Sequence, residues 1–157
     1  MSRRAGLADL DRLLAIQRES ALAGYAEVFP PELYPYPEDD VRTSLQQLLE
    51  TPGTVGILDD DGLGFALVGR GRVHRLYVRP SAWGGGVGAA LHDEALAALR
   101  DAGSDIASLW VLADNVRARG FYERRGWQLN GGARVVKSPP FPLEIAYSLD
   151  LSGSSRL

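Results

Sequence analysis

With 157 residues, 45% of them hydrophobic and 24% charged, the chain has the size and balance of one soluble globular domain with a substantial core. Its net charge of -3 offers no basic field to a nucleic-acid backbone, and no apolar run approaches the roughly 20 residues that span a bilayer. The absence of cysteine excludes disulfides, thiolate metal sites and a cysteine nucleophile together. Asp9, Asp11 and Arg12 interrupt any signal-peptide core at the N-terminus. The expectation is a complete cytoplasmic domain over residues 1–151 with a flexible tail over 152–157, and no nucleic-acid, membrane or metal partner.

Leu7, Leu10, Leu13, Leu14 and Ile16 recur at helical spacing, which predicts a helix over roughly residues 7 to 22. The next stretch, AGYAEVFPPELYPYPEDD, sets Pro30, Pro31, Pro35 and Pro37 among Tyr25, Phe29, Tyr34 and Tyr36. Prolines at that density deny a long helix, and the aromatics of a stiff loop either cap the core or wall a substrate pocket. Helical spacing returns over Asp40 to Glu50 through Val41, Leu45, Leu48 and Leu49. TVGILDDDGLGFALVG then reads as two strands joined at Asp59-Asp60-Asp61-Gly62, the Asp-Gly pair being a strong hairpin signal. A calcium loop is excluded there, because the aspartates are contiguous and Arg70 stands where the closing glutamate belongs.

RVHRLYVRP predicts a further strand, with Val73, Arg75 and Tyr77 alternating against His74, Leu76 and Val78. After Pro80 come Gly84, Gly85 and Gly86, then Val87 and Gly88, directly before a helix expected from Val87 to about Arg100. Leu91, Leu96 and Leu99 should face inward, Gly103 should end the helix, and His92, beside Asp93 and Glu94, reads as solvated surface. SDIASLWVL is another strand, and Asp114-Asn115 offers an N-cap to a second helix, NVRARGFYERRG. WQLNGGARVV and FPLEIAYSLDL are closing strands joined through Ser138-Pro139-Pro140. The fold class expected is α/β (α+β), with a single mixed, mostly antiparallel sheet of about six to seven strands flanked by about four helices.

Glycines clustered at a helix entrance bring bare backbone N–H groups toward an anion. Two familiar cradles do not fit. A dinucleotide fingerprint requires G-x-G-x-x-G, whereas Gly84, Gly86 and Gly88 fall at every second residue; a P-loop requires Lys and then Ser or Thr, where Ala89-Ala90 stand. The order strand, Pro, short loop, G-x-G, helix resembles instead the GNAT superfamily of acetyl-coenzyme A-dependent N-acyltransferases. That family's pattern is Gln or Arg, two variable residues, Gly, any residue, then Gly or Ala. Gly86-Val87-Gly88 match its glycine part, while Trp83 replaces the Gln or Arg, so a side-chain contact is missing from the loop. A second block strengthens the resemblance. NVRARGFYERRGW sets Asn115, Ala118, Phe121, Tyr122, Gly126 and Trp127 where the family shows Asn, Ala, an apolar residue, Tyr, Gly and an aromatic. The two blocks cover about residues 74 to 127.

The resemblance implies acetyl-CoA as co-substrate, its diphosphate cradled by Gly84, Gly85, Gly86, Val87, Gly88 and Ala89 at a helix N-terminus. It also implies backbone pairing of Leu76, Tyr77 and Val78 with the pantetheine arm, between central strands that splay apart. A backbone N–H near Val78 would serve as oxyanion donor. Tyr122 is the candidate general acid for the departing thiolate, against the alternative of a buried helical tyrosine with a satisfied hydroxyl. Asn115 divides between capping its helix and holding the pantetheine. The base stays open between His74, Glu144 and Glu27, and an amine that arrives neutral needs none. Glu27, Glu32, Glu38, Asp39 and Asp40 around the aromatic segment favour a cationic small-molecule or peptide amine as acceptor, or merely form a wet face. The function expected is acetyl transfer to a primary amine, against a catalytically silent CoA-binding or interaction module; a homodimer is left open.

Overall fold

The chain runs β1 (Ser2–Ala5), a 3-10 turn (Leu7–Asp9), α1 (Leu10–Gly24), α2 (Glu38–Glu50), β2 (Val55–Asp59), β3 (Gly64–Gly69) and β4 (Arg72–Val78). A 3-10 turn (Pro80–Ala82), α3 (Val87–Asp101), β5 (Ile106–Leu112), α4 (Val116–Glu123), β6 (Gln128–Val135) and β7 (Leu143–Asp150) complete it. This is a computed structural model that describes residues 1–25, 30 and 32–152. Glu27, Phe29 and nearly all of the expected tail, residues 153–157, lie outside the described residues. The strands form one sheet of order β1-β2-β3-β4-β5-β7-β6, antiparallel throughout except for the β4–β5 pair.

The hairpin between β2 and β3 closes as the Asp-Gly pair requires, with Gly62 at φ 71. Asp59 Oδ2 accepts from the amides of Asp61 (3.0 Å) and Leu63 (3.2 Å), so its carboxylate is committed to the turn. Strand β1 was not foreseen. Ser2-Arg3-Arg4-Ala5 shows no apolar alternation, and its strand form comes from backbone pairing alone, with Ser2 opposite Asp59 and Ala5 opposite Gly56. Helix α2 starts two residues before the expected Asp40, which places Glu38, Asp39 and Asp40 in its first turn. Carboxylates there complement the positive end of the helix dipole. That is a local reason for the acidic run.

The sheet carries a core on each face. One joins α1 and α2 to Leu58, Phe65 and Leu67, with Tyr77 packed against it. The other joins α3 and α4 to Ile57, Ala66, Val68 and Val73, with Leu76 and Val78 at its edge. These memberships show where strand parity breaks. Arg75 pairs with Leu67 but Val73 with Val68, so β4 has one residue more than β3 across that step. His74 lies in the bulge. The expected alternation holds from Arg75 to Val78 and fails below it, since Val73 turns to the α3 face with Leu76 and Val78. A bulge bends its strand and increases its twist. β4 and β5 accordingly register at Arg72–Ser108 alone and diverge beyond it, as the resemblance implied.

His92 is a correction. It is 4% exposed, and Trp127 Nε1 donates to its Nε2 at 3.0 Å. It also meets the Phe121 ring edge-on at 5.8 Å. The polar neighbours Asp93 and Glu94 obscured the spacing, but positions 92, 95, 96 and 99 form one inward helical face. Burial lowers the His92 pKa, and the bond from Trp127 needs an unprotonated Nε2. The folded value lies below the unfolded value near 6.5, so the stabilisation is complete above that pH and lost as pH falls through the folded value. Acid unfolding of wild type should therefore steepen below about pH 6.5, by at most about 1.4 kcal/mol per pH unit for this one proton. His92→Gln, which keeps an acceptor but does not titrate, should flatten the curve of Tm against pH. Parallel curves would remove this role.

Candidate active site

Beyond the Arg72–Ser108 pair, the diverging β4 and β5 open a cleft of about 910 Å³. His74, Leu76, Tyr77, Val78, Gly84, Gly86, Gly88, Ala89, Asn115 and Tyr122 share its wall, as does Glu144. Gly85 and Val87 fall outside it, and Val87 packs against the α3-side core. The Arg79 amide donates to Leu63 O on the β3 side (2.8 Å), so the Val78 peptide, one residue earlier, turns toward the gap.

The loop fits an anion. Gly84 and Gly86 hold φ of +80 and +90, and a Cβ at either would meet nothing within 4 Å. Side chains disfavour that conformation, and the open space lets a ligand reach the backbone. The Ala90 amide is the first to close on the helix, bonding Gly86 O at 3.0 Å; the amides from Gly86 to Ala89 have no helical carbonyl to bond.

Trp83 does more than leave a contact out. Its Nε1 donates to Val78 O at 2.8 Å, tying the loop to the end of β4. The Arg117 guanidinium lies 3.6 Å over its ring and lines the same cleft. A cation over an indole face is attractive, and here it seats a guanidinium next to the loop that lacks the family's Gln or Arg. Sequence reasoning passed over Arg117 because nothing local links it to Trp83.

Asn115 caps α4, its Oδ1 accepting from the Ala118 amide at 3.1 Å. Tyr25, at the end of α1, shares hydrogen bonds with the Asn115 and Tyr77 side chains. One aromatic of the proline segment thus does wall the cleft. Tyr122 is 8% exposed and packs edge-on against Phe121 (5.2 Å) and Trp127 (5.7 Å). Burial, then the neighbouring Tyr77, raises its pKa, so the phenol stays protonated. Tyr147 OH donates to Glu123 (2.6 Å) and accepts from Arg119 (2.9 Å), which anchors α4 to β7 and fixes the Tyr122 ring.

The base candidates differ in state. Burial, then Arg70 and Arg72, lowers the His74 pKa to about 4, and its Nε2 lies 3.3 Å from an Arg70 nitrogen. Glu144 is paired with Arg134 at 2.8 Å, and that guanidinium stacks on Trp110 at 4.0 Å. Among the acidic residues expected to face a cation, Glu38 pairs with Arg18 at 2.7 Å, and Glu32, Asp39 and Asp40 are exposed and off the cleft wall.

Residues 7–127 match the family model described as the acetyltransferase (GNAT) family. A mycothiol acetyltransferase from Beutenbergia cavernae is 35% identical over 98 residues, 57% of this chain and 33% of that protein. An uncharacterized N-acetyltransferase from Archaeoglobus fulgidus is 38% identical over 71 residues, 43% of this chain and 48% of its own. The chain thus spans a third and about half of the length of these two relatives. The paiA N-acetyltransferase of Thermoplasma acidophilum, crystallised with coenzyme A, superposes with a TM-score of 0.67 over 93% of this chain and 96% of its own, at 19% identity. An N-acetyltransferase from Staphylococcus aureus does so with 0.70 over 96% and 98%, at 21% identity. The likeness to these structures is one of fold. With the family model covering residues 7–127, both motif blocks included, the chain belongs to the acetyltransferase (GNAT) family.

Proposed function

We propose that this chain transfers an acetyl group from acetyl-CoA to a primary amine by direct attack of the amine on the thioester. The observation that carries the reading is the β4–β5 splay, which ends beside a glycine loop with unbonded amides. The diphosphate would rest on the Gly86–Ala89 amides, with Gly84 and Gly85 shaping the approach, and meet Arg117 from the α4 side. The pantetheine would lie along Leu76, Tyr77 and Val78, with Asn115 beside it. Bound there, acetyl-CoA supplies an activated carbonyl carbon.

The Val78 amide is the oxyanion donor in this reading, and one such preorganised bond contributes about 3 kcal/mol. The amine nitrogen bonds to the carbonyl carbon, the C–S bond breaks, and the sulfur takes the Tyr122 phenolic proton. Burial disfavours a naked thiolate, but it also disfavours the phenolate that the proton shift leaves at Tyr122, so the phenol must be reprotonated in the same event. The phenol regains a proton from the amine nitrogen through water. His74 is neutral at pH 7 and sits on the cleft wall; it would join that water path only when Arg70 releases its Nε2, and with a pKa of about 4 it would not hold the proton. The acceptor therefore reacts best as the free amine.

The test has two arms. Free thiol should be released from acetyl-CoA with at least one member of an amine panel; tight CoA binding without release would assign a silent module instead. Arg117→Ala should weaken CoA about tenfold, the worth of one charge-assisted hydrogen bond, and leave the affinity for pantetheine, which has no diphosphate, unchanged. Equal losses for both ligands would remove Arg117 from the diphosphate.

A further inference from the structure

Among the described residues, three buried side-chain polar atoms lack a hydrogen bond: Gln17 Oε1, Tyr36 OH and Arg75 Nε. They belong to α1, the segment leading into α2, and β4. Helices α1 and α2 cover the sheet face opposite α3, and β4 is a central strand of that sheet. Arg75 also lines the cleft. Buried polar atoms are almost always bonded, and of the three only Arg75 Nε belongs to a side chain of the cleft wall, which makes this guanidinium the one to ask about a ligand.

The donor count on Arg75 shows what kind. A guanidinium has five N–H donors. One on Nη1 goes to His74 O (2.9 Å) and one on Nη2 to Ser44 Oγ (2.6 Å), so Nε–H and one hydrogen on each Nη find no partner among the described residues. Both partners are neutral. Arg70, at the turn before β4, bonds Pro52 O, Thr54 and His74, neutral groups again. Across the cleft, Arg134 and Glu144 cancel each other. The β4 wall is left with positive charge that no carboxylate of the described residues answers. The lowered pKa of His74 reports the same field, since after burial its causes include Arg70, Arg72 and Arg75.

We propose that the acceptor is an amine that also carries a carboxylate, an amino-acid-like molecule whose carboxylate is held by Arg75 while its amine is directed into the splay. The inference rests on the acetyltransferase reading and specifies its acceptor. It replaces the cationic acceptor expected from the acidic segment with an acidic one. A guanidinium with two or more free N–H groups matches the two oxygens of a carboxylate.

The test titrates CoA-saturated protein with N-acetyl amino acids and with their amides, which mimic the product with and without its charge. The best acid should bind at least tenfold tighter than its amide. Arg75→Met should abolish that preference while CoA affinity and Tm hold, and Arg75→Lys, which keeps charge but not the fork, should restore only part of it. In turnover, amino acids should show a lower KM than the matched decarboxylated amines. Equal binding of acid and amide, no binding of any acid, or a preference that survives in Arg75→Met would overturn the inference. Tighter binding of aminophosphonates than of carboxylates would overturn the carboxylate assignment. If wild type failed to bind CoA at all, the acetyltransferase reading would fall first, which separates the two failures.

Discussion

Tyr122→Phe should lower turnover by about 10²-fold or more and leave the Kd for CoA nearly unchanged, because in the proposed mechanism the oxygen it removes acts only after binding. The phenyl ring keeps the edge contacts to Phe121 and Trp127, so the fold should survive. A structural tyrosine would behave differently. Loss of a buried, bonded hydroxyl would lower Tm and leave the rate per folded molecule alone. The two outcomes separate in one experiment that follows thiol release, CoA affinity and Tm together. The deficit should also persist across pH, since a phenol held above its ordinary pKa does not titrate in the working range.

Gly64→Val should destabilise the protein by about 3 kcal/mol, lowering Tm by roughly 6–12 °C, and should weaken CoA binding as well. Gly64 is buried opposite Val78 in the β3–β4 ladder. A Cβ there would lie 2.8 Å from Tyr77 O, 2.9 Å from Leu91 Cδ1 and 3.2 Å from Val78 Cγ2. The first of these is backbone and cannot step aside. The absent side chain is what lets α3 sit down on the sheet beside the Val78 peptide, with the glycine loop at that helix's start. Gly6→Ala is the control, because a Cβ there meets nothing within 4 Å; its unfolding free energy should stay within about 0.5 kcal/mol of wild type. Equal Tm for the Gly64 and Gly6 variants would show that the ladder tolerates the added volume.

Local chemistry was legible in the sequence wherever one segment carried it. The Asp59–Gly62 hairpin, the glycine entrance to α3 and the Asn115 cap of α4 each depend on a few consecutive residues, and each lies where the pattern put it. The inward face of α3 was read from its leucines, and His92 was misplaced because its two acidic neighbours were weighed above its helical phase. Strand β1 was missed because its four residues contain no strand signal and acquire one only by pairing with β2.

By itself the sequence determined every element but β1, the family's two motif blocks and the identity of the groups available for chemistry, because propensity, capping and turn geometry act over a few neighbouring residues. Tertiary structure alone decided which of those groups meet. It set Arg117 over Trp83, and Arg75 against Ser44 with no acid partner among the described residues. Such encounters are produced by packing between elements far apart in the chain. The energies that select them come from burial and from charges crossing the cleft, and no stretch of a dozen residues contains both partners.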